Sequence, residues 1–221
     1  MSYESRTWTE VNLDAVYNNI KAIRRYVNPS AKVLGVVKAD AYGHGFLEVA
    51  KTLLEGGADA LGVAFVDEAI QIRRCDINCP ILILGNSRTE DAETLVLNDV
   101  MPACYEYLFA KVLSDVACSL GRKAKIHIKV DTGMGRVGFR YTDDKEAGKE
   151  SINEILKIAN LPGICIDGIF THFAVADEDD DEYTNTQFER FCEICDILEE
   201  KGLKIPVKHC ANSAALIRFP H

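Results

Sequence analysis

Seven short runs rich in branched apolar residues recur along this 221-residue chain, most of them followed by a turn and an amphipathic segment. The runs are VLGVV (33–37), ALGVAF (60–65), ILILG (81–85), VMPACY (100–105), KIHIKV (125–130), ICIDGIF (164–170) and VKHCA (207–211). Helix-type spacing marks the stretches at 46–57, 66–74, 105–121, 151–160 and 186–202, several of which stop on glycine. Strands alternating with helices run parallel, because each helix carries the chain back to the same end of the sheet. Runs this continuously apolar are buried on both faces. The pattern predicts an α/β fold, a (β/α)8 TIM-type barrel that is incomplete, with about seven of its eight strands, in one domain spanning 1–221. A complete barrel takes about 250 residues. No eighth strand is visible and no closing helix is expected in the final LIRFPH, so the chain reads as truncated. Ahead of the barrel, 13–27 reads as a helix, and RTWTEVN (6–12) has the alternation of a short strand whose mate lies elsewhere.

Charge and cysteine usage narrow the function classes. The formal net charge of −9 argues against a nucleic-acid partner. DEDDDE (177–182) supplies six of those negative charges and reads as a solvated loop rather than a cation site. No apolar run approaches the ~18 residues that cross a bilayer, and MSYESRTWTE lacks a secretory signal, so a cytoplasmic protein without a membrane partner is expected. The eight cysteines are then expected to be reduced. Cys104, Cys165 and Cys210 fall in apolar segments, and Cys192 and Cys195 form a CxxC inside a helical pattern with no second pair, so no metal site is expected.

Chemistry-bearing residues gather at strand ends, which in a barrel form the active-site mouth. Lys38 ends the first run; a lysine partly withdrawn from water becomes a nucleophile toward carbonyls, although it could also snorkel past the strand. Arg136 lies in a glycine-rich loop, where a planar guanidinium suits a carboxylate. Lys129 could pair with Asp131, His172 could be a satisfied core imidazole, Tyr42 could merely pack, and Ser213 could cap a helix. Gly133, Gly135 and Gly138 match G-x-G-x-x-G, but no helix opens within the motif, which disfavours a dinucleotide.

VLGVVKADAYGHG (33–45), KVDTGMGRVGF (129–139), GIFTHFAVADE (168–178) and HCANSAA (209–215), in this order and each at a strand end, closely resemble the motifs of alanine racemases. The resemblance spans essentially the whole chain and implies pyridoxal 5'-phosphate as cofactor. It implies that Lys38 carries the cofactor and is one of two catalytic bases, and that Tyr42 hydrogen-bonds the phosphate, which Ser213 and Asn212 help to seat. Arg136 would approach the cofactor's phenolic oxygen and the substrate carboxylate. Lys129, often carbamylated in the family, would hold Arg136, and His172 would stack near the pyridine ring. The implied reaction interconverts L- and D-alanine for peptidoglycan precursors, with alanine as the small-molecule partner. The opposite base would be a tyrosine from a C-terminal β domain of the partner subunit in a homodimer. By itself the chain is expected to be inactive and to self-associate through its open sheet edges. A serine or broad-specificity racemase, or a non-catalytic barrel that carries the same cofactor, are the rival readings.

Overall fold

The computed structural model describes residues 7–219. Each predicted run forms a strand: β1 (Leu34–Val36), β2 (Ala60–Val63), β3 (Ile81–Ile83), β4 (Met101–Cys104), β5 (Ala124–Asp131), β7 (Ile164–Phe170) and β8 (Val207–His209). A two-residue strand, β6 (Phe139–Arg140), pairs beside β5. The sheet order is β1-β2-β3-β4-β5-β7-β8 with every neighbouring pair parallel. It curls through 243° about its axis and leaves its two edges 9 Å apart, an incomplete (β/α)8 barrel.

Helices wrap the outside: α1 (Leu13–Tyr26), α3 (Phe46–Gly56), α4 (Val66–Arg74), α5 (Ala92–Leu97), α6 (Tyr107–Ser119), α7 (Lys145–Ala159) and α8 (Glu182–Glu200). Leu61, Ile81, Ile83, Ile126, Ile128 and Ile169 on the strands are fully buried, as are Ile72, Leu95, Leu113, Ile155 and Ile158 on the helices. Each such side chain contributes ~1.5–3 kcal/mol relative to exposure, so the contact between sheet and helices dominates the stability. The ends of α1 and α7 follow local chemistry. Asn12 caps α1 by accepting the Ala15 N–H at 3.0 Å, and Asp144 caps α7 through the Ala147 N–H at 3.2 Å.

Four expectations are corrected. Residues 7–12 form no strand; Arg6 lies outside the described residues. A short helix, α9 (Ser213–Arg218), follows β8 where no closing helix was expected, and Asn212 caps it by accepting the Ala215 N–H at 2.9 Å. Ser213 is therefore the first helical residue and not the cap. Cys165 is exposed, because its position on β7 faces away from the core, whereas Cys104 and Cys195 are buried. The eight cysteines are free thiols, and burial pushes Cys104 and Cys195 up to about 12, which leaves them inert. Among the described residues no helix is long and apolar enough to cross a membrane.

Candidate functional site

The site is built at the C-terminal ends of the parallel strands. Lys38 follows β1 and opens a feature that the sequence pattern did not announce. Ala39, Asp40, Ala41 and Tyr42 all adopt left-handed backbone angles, with φ between 50° and 56°, so that Lys38–Gly43 (α2) is one turn of left-handed helix. For non-glycine residues this costs roughly 1–2 kcal/mol each, and it persists only where surrounding contacts impose it. Those contacts are present. Glu68 on α4 accepts the Ala39 N–H at 2.7 Å, Asp40 accepts the Phe46 N–H at 2.8 Å, and His44 Nδ1 meets the Ala41 carbonyl at 3.0 Å. The turn exposes Tyr42 and sets its ring 6.0 Å from the Lys38 ammonium.

Lys129 occupies the inner face of β5, only 4 % exposed. Its Nζ donates to the Val130 carbonyl at 2.8 Å and lies 5.3 Å over the Phe170 ring. Burial first, and the nearby Arg136 charge second, push its pKa down to about 8, against an opposing pull from Asp131. A simple Lys129–Asp131 pair does not form. Asp131 instead accepts the N–H groups of Gly133 and Gly135, each at 3.0 Å, and so shapes the loop that carries Arg136. Gly138 closes this loop at φ +138°, where an added Cβ would meet the Asp131 nitrogen at 2.6 Å. That need for space explains the glycine pattern without any nucleotide.

His172 stands just past β7, half-buried, and its pKa is lowered by burial first and then by the charges of Arg136, Lys129 and Lys38. Three residues singled out in the sequence thus act on the imidazole of a fourth and disfavour its charged form. Asn212 and Ser213 follow β8 on the same rim, across the 9 Å gap between the sheet's two edges from β1. Among the described residues Asn212 and Ser213 make no hydrogen bond or ion pair with the other five, and the Asn212 side-chain oxygen is committed to α9. Among the described residues the hydroxyls of Tyr42 and Ser213 have no hydrogen-bond partner, so both remain available to a phosphate. An amine, a guanidinium, a neutral imidazole and two free hydroxyls make up a donor set that fits pyridoxal phosphate.

One largely buried pair was missed. His127 on β5 and His209 on β8 meet Nδ1 to Nε2 at 2.9 Å, and the His209 ring stacks on Phe170 at 4.7 Å. Gly168, opposite His127 in the sheet, has no side chain because a Cβ there would collide with the imidazole. The glycine in ICIDGIF was the available signal. Burial drives His127 down to about 4 against an opposing pull from Asp167, and burial with the His127 ring's charge drives His209 to about 3. The unfolded chain takes up these protons near pH 6.5, so the stability held in the neutral pair is intact above 6.5 and is withdrawn as pH falls toward 4. His127 alone amounts to roughly 3 kcal/mol over that window. Urea midpoints at pH 7.5 and 4.5 should differ about twice as much in the wild type as in His209→Gln, which keeps the His127 share; equal differences would refute the assignment.

The chain matches the family described as alanine racemase, N-terminal domain, over residues 11–221. It is 45% identical over 213 residues to the alanine racemase of Clostridium perfringens (strain SM101 / Type A), covering 96% of this chain and 53% of that protein. Alanine racemase of Clostridium difficile 630 in complex with cycloserine superposes with a TM-score of 0.93 at 40% identity, covering 99% of this chain and 58% of that one. A histidine racemase from Leuconostoc mesenteroides subsp. sake superposes at 0.83 with 25% identity, covering 95% and 54%. The chain spans about half the length of the curated relatives it matches.

Proposed function

We propose that this chain, which belongs to the alanine racemase N-terminal domain family, forms the cofactor-bearing barrel of an enzyme that interconverts L- and D-alanine. The observation that carries the reading is the convergence of Lys38, Lys129 and Arg136 on His172 at the barrel mouth, beside a left-handed turn that only strong local contacts sustain. Pyridoxal phosphate, when bound, withdraws electrons from the substrate's α-carbon and so makes its proton removable.

The remaining steps fall to side chains. The Lys38 Nζ would hold the cofactor and would accept and return the α-proton on one face. Arg136, exposed at the tip of its loop, clamps the substrate carboxylate, for which a planar guanidinium is the matched partner. His172, kept neutral by burial and by three cationic neighbours, presents a flat uncharged ring to the cofactor. Lys129, with a pKa of about 8, has enough neutral amine near physiological pH to take up carbon dioxide as a carbamate, which would turn it into an anionic partner for Arg136. Tyr42 and Ser213 donate to the phosphate. Racemisation also needs a proton donor on the opposite face, which we assign to the part of the relatives' length that this chain does not span. A homodimer is the assembly proposed with it.

The histidine racemase fold-mate keeps a second reading open, in which the same site serves another amino acid. Proton exchange at the α-carbon in D2O, followed by NMR on the whole protein supplied with pyridoxal phosphate, separates the readings. Alanine is expected to exchange and invert at least tenfold faster than serine or histidine. Faster turnover of either rival would transfer the substrate assignment. Cofactor uptake without exchange of any amino acid would identify a non-catalytic carrier.

A further inference from the structure

Helix α8 touches both halves of the site through one face. Tyr183, Gln187 and Arg190, spaced four and three residues apart, line up on the same side of the helix. The Tyr183 hydroxyl donates to the Gly133 carbonyl at 2.7 Å. Arg190 donates to the Thr132 carbonyl at 3.0 Å and to the Asp143 carboxylate at 2.7 Å.

Between them Gln187 is fully buried and uses both ends of its amide. Its Oε1 accepts the Ala174 N–H at 2.8 Å, and its Nε2 donates to the His172 carbonyl at 3.1 Å and to Thr132 Oγ1 at 3.4 Å. Thr132 and Thr171, both buried, join their hydroxyls at 2.8 Å and close the network. Thr132 opens the loop that carries Arg136, and Thr171 precedes His172.

This linkage stands where the sheet gives out. The β5–β7 ladder ends at the Lys129–Phe170 pair and Val130 and Asp131 turn to pair with β6, so no strand pairing joins the Arg136 loop to the segment after β7. A buried amide that satisfies both segments supplies the missing tie, and a fully satisfied network of this kind permits few alternative arrangements.

We propose that Gln187 is a positioning residue that locks the Arg136 loop to the His172 strand end, fixing the spacing between the group that grips the substrate carboxylate and the ring that faces the cofactor. The inference rests on the racemase reading of the site for its meaning, although the mechanical link itself does not require a cofactor. Catalytic constellations need their members held to within ~0.5 Å, and an exposed glycine-rich loop does not achieve that alone.

Hydrogen exchange read by mass spectrometry on the protein without cofactor tests the link directly. Gln187→Met, similar in length and unbranched, should speed exchange at least about tenfold in both 132–138 and 172–176, as expected for losing one buried hydrogen bond to the first and two to the second, while the peptide containing Lys38 is unchanged. Tyr183→Phe should loosen 132–138 only. If Gln187→Met does not fold, Thr132→Val interrupts the same link from the loop side and should loosen 132–138. Exchange that rises in one segment only with Gln187→Met, rises uniformly through the barrel, or is unchanged in Thr132→Val would overturn the proposal.

In the whole cofactor-loaded protein the same Gln187→Met change should raise the KM for alanine about tenfold with kcat within about threefold, a split that simple destabilisation does not produce. An unchanged KM in the folded variant also overturns it. Wild-type protein that never captures pyridoxal phosphate at Lys38 would instead sink the racemase reading and leave the exchange result standing.

Discussion

Lys38→Ala is expected to abolish covalent capture of pyridoxal phosphate while leaving the fold intact. The Lys38 side chain is half-buried and makes no hydrogen bond among the described residues; its ammonium lies 6.0 Å from the Tyr42 ring. Lys38 itself is not among the residues with positive φ, so alanine enters without backbone strain. The barrel core of Leu61, Ile81, Ile83 and Ile128 is untouched. Borohydride reduction of wild-type protein with cofactor, followed by digestion, should place a pyridoxyl group on the peptide containing residue 38. The same treatment of Lys38→Ala should yield none, with thermal melting within ~2–4 °C of wild type, as for a change of about 1 kcal/mol in a chain of this length. Equal labelling of another lysine in the variant would mean that the amine at the end of β1 is not the cofactor's attachment point. Lys129 is the rival to watch, since burial and Arg136 bring its pKa to about 8 and leave part of it uncharged near neutral pH.

The strand–helix alternation was legible because it is a property of single segments: β-branched runs of buried length and helices with one apolar face announce themselves locally. All seven runs became strands in the predicted order. What escaped was set by contacts distant in sequence. The left-handed turn after Lys38 has no local signature, because Ala39, Asp40, Ala41 and Tyr42 are ordinary residues whose conformation is imposed by Glu68, some thirty positions on. Likewise the His127–His209 pair joins strands 82 residues apart. Residues 177–180 of the acidic run are exposed loop as expected while Glu182 opens α8, and Arg218 holds the run through Asp181 and the carbonyls of Ala176, Glu178 and Asp179. α5 and α9 escaped because six residues carry less than two turns of periodicity.

Glu68 is the residue whose loss should reach furthest, since one carboxylate there holds two structures in place. Besides the Ala39 N–H at 2.7 Å, it accepts the N–H groups of Ala64 at 2.6 Å and Phe65 at 3.2 Å, tying the end of β2 and the start of α4 to the Lys38 turn. Two oxygens serving three donors is a task for a carboxylate, and charge-assisted bonds of this kind are about twice as strong as neutral ones. In Glu68→Ala, water can reach Ala39 and Phe65, which are exposed, so the loss is about 3 kcal/mol rather than three full bonds. That corresponds to a melting temperature lower by ~6–12 °C. The effect on the site should exceed the effect on the fold, because the left-handed residues no longer have the contact that offsets their strain and the backbone relaxes toward right-handed or extended angles. Tyr42 then swings away from Lys38, and cofactor affinity should fall at least tenfold. Glu68→Gln retains one well-placed oxygen but turns an amide N–H toward a backbone donor, so it should fall between wild type and alanine on both scales. Titration with pyridoxal phosphate, read by absorbance alongside thermal melting, checks the ordering. A Glu68→Ala protein that melts lower yet binds the cofactor as tightly as wild type would show that the turn holds its left-handed form without the carboxylate.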